Sequence, residues 1–340
     1  ADDGIRAFCL SRGLGDVYKR QNLSYARITG TGIYVPEKLL TNEDLESLVD
    51  TSDEWIKART GISERRLLEN GKSTSDMCYS ACIEALNNSN TDPEEIDGII
   101  VATVTPDYIT PSVACLLQDK LKTRKVFAFD LSAGCSGFIY CLNIAKALIE
   151  NKQSKKLLVV GAEYLSSIVD YKDRGTCILF GDGAGAVVIE ASDEPGILSV
   201  CLGASGKEAE LLYVPGGGAK DVGGYRFLKM EGKEVFKEAV KVIQSNSLEA
   251  IEAANLEPSD IDLFIPHQAN MRIIEAARER LELPLEKCFV NIDKYGNTSS
   301  ASVLLALHEA HKESKIKRGD NILFSVFGAG FAWGSAVLKW

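Results

Sequence analysis

The chain has 340 residues, 45% of them hydrophobic, and a formal net charge of −10. That is enough apolar material for two packed layers or two ordinary domains. No apolar run approaches the roughly 18 residues of a membrane span, and no basic block offsets the acidic balance, so neither membrane nor nucleic acid is an expected partner.

Residues 1–21 show no clear periodicity. Their short apolar stretch, residues 5–10, is interrupted by Arg6 and is too short for a signal peptide. The string GDVYKRQ reads as the translation of a transposon adapter used in preparing DNA libraries. The segment is expected to be a non-native or disordered leader, with the native chain starting near residues 23–25 and Cys9 without a function.

The body opens with a predicted strand over residues 26–33 and a helix capped near Thr41. A second helix starts at Thr51-Ser52-Asp53-Glu54, where Glu54 at the fourth position predicts a capping box. Further expectations are a helix over 74–87, a strand over 98–105, a helix over 112–121 and a strand ending at Asp130. A helix over 136–150 follows, then strands at 156–160 and 184–190. The second half repeats the order: an amphipathic helix over 234–254 and a strand over 261–265. The segment from Phe289 to Glu313 then lies over that from Val126 to Glu150, and residues 320–330 over 155–164. A repeat of about 150 residues is too long for a solenoid and reads as a duplicated α/β domain. The expected organisation is a leader (1–21), an N-terminal half (22–195) and a C-terminal half (196–340).

Chemistry concentrates at a few turns. Cys135 in DLSAGCSGF lies between a strand and a helix, where free N–H groups and the helix dipole predict a thiol that ionises easily. The repeat sets Gly134-Cys135 against Gly296-Asn297, both at carboxyl ends of strands, where open α/β sheets bind ligands. His267 in PHQAN lies outside any helical surface pattern. Taken singly, Cys135 reads as a buried structural thiol, His267 as a core histidine with its partners satisfied, Asn297 as an N-cap and Trp55 as a core aromatic. Cys78, Cys82, Cys115, Cys141 and Cys177 fall in apolar helix or strand patterns, suiting buried thiols in a reducing cytoplasm. The GDGAG string at 181–185 leads into a strand and is no dinucleotide fingerprint. The PGGG string at 215–218 lacks the order of a phosphate loop. His308 and His311 stand in HEAH rather than HExxH, and no metal site is expected.

Together DLSAGCSGF, DRGTCILFGDGAGA, PHQANMRII, YGNTSSAS and FGAGFAWGS resemble the β-ketoacyl-acyl-carrier-protein synthase III enzymes of the thiolase superfamily, in order from about Tyr25 to the C-terminus. The resemblance implies a thiolase-like fold, two duplicated α/β halves in an αβαβα stack. It also implies a homodimer and a decarboxylating Claisen condensation in the initiation of fatty acid synthesis. Cys135 would accept the acyl group of an acyl-CoA. His267 and Asn297 would hold the thioester carbonyl of malonyl-acyl carrier protein, and the backbone N–H groups of Cys135 and Ala329 would form an oxyanion hole.

By the same resemblance Asn297 separates the chain from thiolases, which have a second Cys there, and from elongating synthases, which have a second His. Type III polyketide synthases share the Cys-His-Asn set. Trp55 and Arg174 would sandwich the CoA adenine, Arg59 would contact the nucleotide, and Gly232 and Asn270 would line the pantetheine channel. Thr110 stands where many members carry a bulky Phe, which puts an acetyl preference in question. Docking of an acidic carrier protein needs a basic patch, for which Lys237, Arg272, Arg278 and Arg280 are candidates. No metal or redox cofactor is implied, acyl-CoA and malonyl-carrier protein being substrates. The alternatives are a relative serving secondary metabolism with another primer or acceptor, and an inactive scaffold that binds CoA or carrier protein.

Overall fold

The structure, a computed structural model, describes residues 24–340; the expectations for residues 1–21 and Cys9 lie outside them. Two sheets carry the architecture. The first is five-stranded, in the spatial order Tyr25–Tyr34, Gly183–Ser192, Lys156–Glu163, Gly98–Ala102, Phe127–Leu131. The second is four-stranded, in the order Ile197–Ala204, Ala332–Lys339, Asn321–Gly328, Leu263–Pro266. Each combines one antiparallel edge with a parallel one: Gly98–Ala102 pairs in parallel with Phe127–Leu131 and Lys156–Glu163, and Leu263–Pro266 with Asn321–Gly328. The chain crosses from one sheet to the other between Ser192 and Ile197.

Alternation along the strands explains the layering. In Lys156–Glu163, Leu157 and Val159 join the central core, while Leu158, Val160 and Ala162 face the outer one. Both faces are covered, so the strand reads as one unbroken apolar run. The central core is filled by the helices Gly137–Glu150 and Ser302–Lys312, through Phe138, Leu142, Val303 and Leu307. Outside the first sheet, Thr74–Ser89 and Val113–Leu121 bury Met77, Ala81 and Leu117. Outside the second, Gly232–Ala253 and Met271–Arg280 bury Ile243, Ile251 and Ala277. The result is helix, sheet, helix, sheet, helix, as expected of a thiolase-like fold.

Local expectations shift in three places. The helix Asp53–Thr60 is capped by Ser52, whose side chain accepts from Trp55 N–H, so the third helical residue is Trp55 and Glu54 has no box to close. The strand Ile197–Ala204 was not anticipated: polar and small residues such as Ser199, Gly203 and the half-buried Cys201 mask its apolar set. Cys115, expected to be buried, lies exposed beside the outermost strand, its thiol near Ala128 O at 3.7 Å.

The repeat is real, but its register differs by three residues from the sequence alignment of the turns. The one-turn helix Gly134–Ser136 leads into Gly137–Glu150, and Ser299–Ala301 leads into Ser302–Lys312. Each begins on a left-handed residue, Gly134 at φ +53 and Ser299 at φ +50. Cys135 therefore corresponds to Ser300, and Asn297 lies just before the matching turn. The shared Gly-before-reactive-residue pattern had suggested otherwise, but the left-handed residue marks the equivalent positions.

Candidate active site

A cavity of about 1010 Å³ opens where the carboxyl ends of both sheets meet, and Cys135, His267, Asn297 and Ala329 all line it. Its depth follows from exposure: His267 and Asn297 are 4% and 6% exposed, while Trp55, at the other end of the lining, is 36% exposed.

Cys135 is placed by a close approach of the two halves. A Cβ on Gly328 would lie 2.7 Å from Cβ and 3.1 Å from Sγ of Cys135, so only glycine fits there. On the neighbouring residue, Ser136 Oγ donates to Ala332 O at 2.8 Å and ties the turn to the second sheet. The thiol differs from the expectation. Burial pushes it up to about 12, while a hydrogen bond with Ser299 and its own backbone N–H pull it down and the Glu163 carboxylate pushes it further up. In the resting site desolvation outweighs the helix terminus, so ionisation needs a proton acceptor.

His267 continues the pairing of Leu263–Pro266 through its N–H to Ser325 O at 2.8 Å. Its Nδ1 lies 2.6 Å from Ser302 Oγ, and its buried Nε2 has no hydrogen-bond partner among the described residues. Burial lowers its pKa to about 3, which keeps the imidazole neutral. Asn297 Oδ1 accepts from Ser299 N–H at 2.8 Å, fixing the amide and leaving Nδ2 to donate to an occupant of the cavity. Its backbone N–H donates to Leu179 O at 2.8 Å.

The other sequence candidates divide. Trp55, Arg59, Gly232 and Asn270 line the same cavity. Asn270 caps Met271–Arg280 and donates from Nδ2 to Arg59 O at 3.1 Å. Arg174 is not on the cavity wall; its guanidinium stacks on the Trp55 ring at 5.0 Å, with Arg59 against the same ring at 5.5 Å. Lys237 and Arg272 line the cavity, Lys237 paired to Glu234 at 2.9 Å and Arg272 over the Phe236 ring at 5.6 Å. Arg280 is exposed at the end of its helix. Arg278 does not suit docking: it turns inward to donate to Leu283 O at 2.8 Å, because that carbonyl needs a donor just beyond the helix end. Thr110 is exposed and off the cavity wall, so within one chain it shapes no acyl pocket.

Sequence reasoning missed Glu163, Ser299, Ser302 and Gly328. A carboxylate closing the apolar run KLLVVGA, at a strand's carboxyl end, was a legible signal for Glu163. It is fully buried, accepts five hydrogen bonds, and burial raises its pKa to about 7 against the pull of those donors.

Comparison with known proteins gives the family. Residues 129–206 match the family described as 3-oxoacyl-[acyl-carrier-protein (ACP)] synthase III, and residues 251–340 match its C-terminal part. The chain is 53% identical over 323 residues to the β-ketoacyl-[acyl-carrier-protein] synthase III of Caldanaerobacter subterraneus subsp. tengcongensis, covering 93% of this chain and 98% of that protein. It is 50% identical over 324 residues to the enzyme of the same name from Clostridium acetobutylicum, covering 94% and 99%. The crystal structure of 3-oxoacyl-[acyl-carrier-protein] synthase III from Aquifex aeolicus VF5 superposes with a TM-score of 0.89 at 50% identity, covering 93% of this chain and all of that one. Fold and site thus define a condensing acyltransferase of the thiolase fold. Within that class the chain belongs to the β-ketoacyl-acyl-carrier-protein synthase III family, the condensing enzymes that initiate fatty acid synthesis.

Proposed function

We propose that Cys135 takes an acyl group from an acyl-CoA as a thioester and passes it to malonyl-acyl carrier protein, with loss of carbon dioxide, to give a β-ketoacyl-carrier protein. The observation that carries the assignment is the convergence of the Cys135 thiol, the unpartnered His267 Nε2 and the fixed Asn297 amide on one cavity. In the tautomer this role requires, Ser302 would donate to Nδ1 and the His267 proton would sit on Nε2. That N–H and the Asn297 Nδ2–H would hold the malonyl thioester oxygen as it becomes an enolate. A neutral imidazole suits this part, since it donates without surrendering its proton. Backbone N–H groups of Cys135 and Ala329 would hold the oxygen of the tetrahedral intermediates. Trp55, Arg59 and Arg174 would receive the CoA nucleotide and Gly232 and Asn270 its pantetheine arm. Lys237, Arg272 and Arg280 would meet the acidic carrier protein. The reading uses no metal or redox cofactor.

A homodimer is part of the proposal. Among the described residues Phe127–Leu131 ends the first sheet with one side unpaired, and its Phe127 is exposed and stacks on Phe129 at 6.2 Å. A second copy pairing there would extend the sheet and cover the edge. Thr110 would reach an acyl chain only across such a contact. Among the described residues no helix is long and apolar enough to cross a membrane. The buried free thiols Cys78, Cys82, Cys141 and Cys177 suit a reducing, cytoplasmic site of action.

A second reading, priming of a secondary-metabolite pathway, is favoured by one relative: the priming β-ketosynthase of the R1128 polyketide biosynthetic pathway is 36% identical, with a TM-score of 0.89. The test is incubation with a panel of acyl-CoAs followed by intact mass, then addition of malonyl-carrier protein. A mass gain on wild type but not on Cys135→Ala, followed by an extended product, supports the first reading. Extension from another primer in place of those of fatty acid synthesis, or acylation that passes to an acceptor other than malonyl-carrier protein, supports the second, and no acylation by any primer overturns both. Decarboxylation that survives His267→Ala or Asn297→Ala overturns the roles given to those residues.

A further inference from the structure

Cys135 must lose a proton before it can attack, and the neutral His267, whose protonation burial opposes, is a poor place to put it. Glu163 stands on the other side. Its Oε2 accepts from Thr105 Oγ1 at 2.9 Å, Val104 N–H at 3.1 Å and Thr103 Oγ1 at 3.4 Å. Its Oε1 accepts from Ser300 Oγ at 2.9 Å and Ser299 Oγ at 3.2 Å. All five donors are neutral. A fully buried carboxylate with no cation among its hydrogen-bond partners is costly to keep ionised, and so is a ready proton acceptor. Among the described residues, Cys135 and, from the helix Thr74–Ser89, Cys78 are titratable side chains whose ionisation the Glu163 charge opposes. Ser299 stands between the two ends: its hydroxyl donates to Glu163, and it shares the cavity wall with Cys135, whose thiol it draws towards ionisation. Ser299 is also held in place, by its backbone N–H on Asn297 Oδ1.

We propose that Glu163 receives the proton of Cys135 through the Ser299 hydroxyl and returns it to the departing CoA sulfur. The inference rests on the function proposed above for the transfer step. The thiol S–H bond breaks and its proton goes to Ser299 Oγ, while the Ser299 proton goes to Glu163. The thiolate forms a bond to the acyl carbonyl carbon, and the bond from that carbon to the CoA sulfur breaks. The CoA thiolate then collects the proton back along the same path, leaving CoA thiol, acyl-Cys135 and ionised Glu163. Atoms and charge balance with no other reactant. Glu163 acts through Ser299 and is a positioning residue, while Cys135 remains the catalytic one.

The test needs no substrate. The rate at which iodoacetamide alkylates Cys135 is followed on its peptide by mass spectrometry as a function of pH, with folding of each variant checked by thermal unfolding. Wild type should gain reactivity as pH rises through about 7, where Glu163 becomes able to accept. Glu163→Gln should lose that step and react on the order of a hundredfold more slowly at neutral pH. Ser299→Ala, which keeps the carboxylate but cuts the path, should do the same, and Glu163→Asp should restore the step. If Glu163 acted only by its charge, removing it would ease ionisation and Glu163→Gln would alkylate faster. A Glu163→Gln protein as fast as wild type, or faster, overturns the proposal. If Glu163→Gln does not fold, an undiminished rate in Ser299→Ala overturns it. Loss of the step in these variants alongside no acylation by any acyl-CoA would keep the relay and sink the substrate assignment instead.

Discussion

Gly328 and Cys135 touch across the boundary between the two halves, with the glycine Cα facing the thiol so closely that a methyl group would fall within 2.7 Å of Cys135 Cβ. Gly328→Ala therefore has no space except by pushing the nucleophile or its strand aside. Overpacking of this kind is expected to destabilise by about 1–3 kcal/mol. Acylation from acyl-CoA should fall further than stability does, because the sulfur is displaced from its place on the cavity wall. Intact mass after acyl-CoA addition and a thermal melt on the same sample measure the two effects. A protein that acylates at the wild-type rate would show that the contact does not position the thiol.

Ser302 is expected to set the tautomer of His267. Ser302→Ala removes the hydroxyl on Nδ1, so the proton is free to sit on Nδ1 and Nε2 can become an acceptor. Decarboxylation of malonyl-carrier protein should drop roughly tenfold to a hundredfold, in line with the loss of one donor to a developing oxyanion. Acylation of Cys135 should change little. Equal losses in both half-reactions would place Ser302 in general support of the fold.

Two buried groups give opposite pH dependences of stability. The pKa of His267 is lowered to about 3, so between that value and 6.5 the unfolded chain binds the extra proton and stability falls as pH falls. The pKa of Glu163 is raised to about 7, so between 4.5 and 7 the folded chain binds the extra proton and stability falls as pH rises. Their slopes oppose each other from 4.5 to 6.5. Glu163→Gln should therefore steepen acid destabilisation in that window, and His267→Gln should flatten or reverse it. Each group contributes at most about 1.4 kcal/mol per pH unit. Urea midpoints across the window give the slopes, and two variants with the wild-type profile would contradict the assignment.

Trp55 sits between the guanidinium groups of Arg59 and Arg174, at 5.5 and 5.0 Å. Trp55→Ala is expected to weaken acyl-CoA binding by roughly tenfold, the scale of one base stacked on an aromatic side chain. The rate at saturating acyl-CoA should persist. An acyl-pantetheine that lacks the nucleotide should be used equally by both proteins. A loss that appears with acyl-pantetheine as well would move Trp55 from nucleotide binding to packing of its helix.

The layered fold was legible because both faces of each central strand are buried, which writes long apolar runs such as LLVV at 157–160 and ILF at 322–324. Ile197–Ala204 escaped because the polar Ser199 takes a buried position while Leu198, Val200 and Leu202 are only half-buried, so polarity and burial do not alternate together. In the site, Cys135, His267 and Asn297 could be named from their turns and from the resemblance they complete. Their partners could not: Ser299 and Ser302 look like any small residues at a helix start. Only the fold reveals that one faces a thiol and the other an imidazole. The acidity of Cys135 was misread for a related reason, since a dipole can be inferred from local sequence whereas desolvation depends on what the other half places above it.

The hydrogen bond from Ser136 to Ala332 joins residues 196 positions apart, next to the nucleophile on one side and the last strand on the other. During synthesis the segment bearing Cys135 is complete long before Gly328 and Ala329 leave the ribosome. Until they arrive, the thiol lacks the Gly328 contact and shares no cavity with Ser299, Ala329 or the His267 imidazole. The finished cavity is thereby the last property the chain acquires, and an incomplete or truncated product carries Cys135 as an ordinary thiol, freed of the desolvation that the second half imposes.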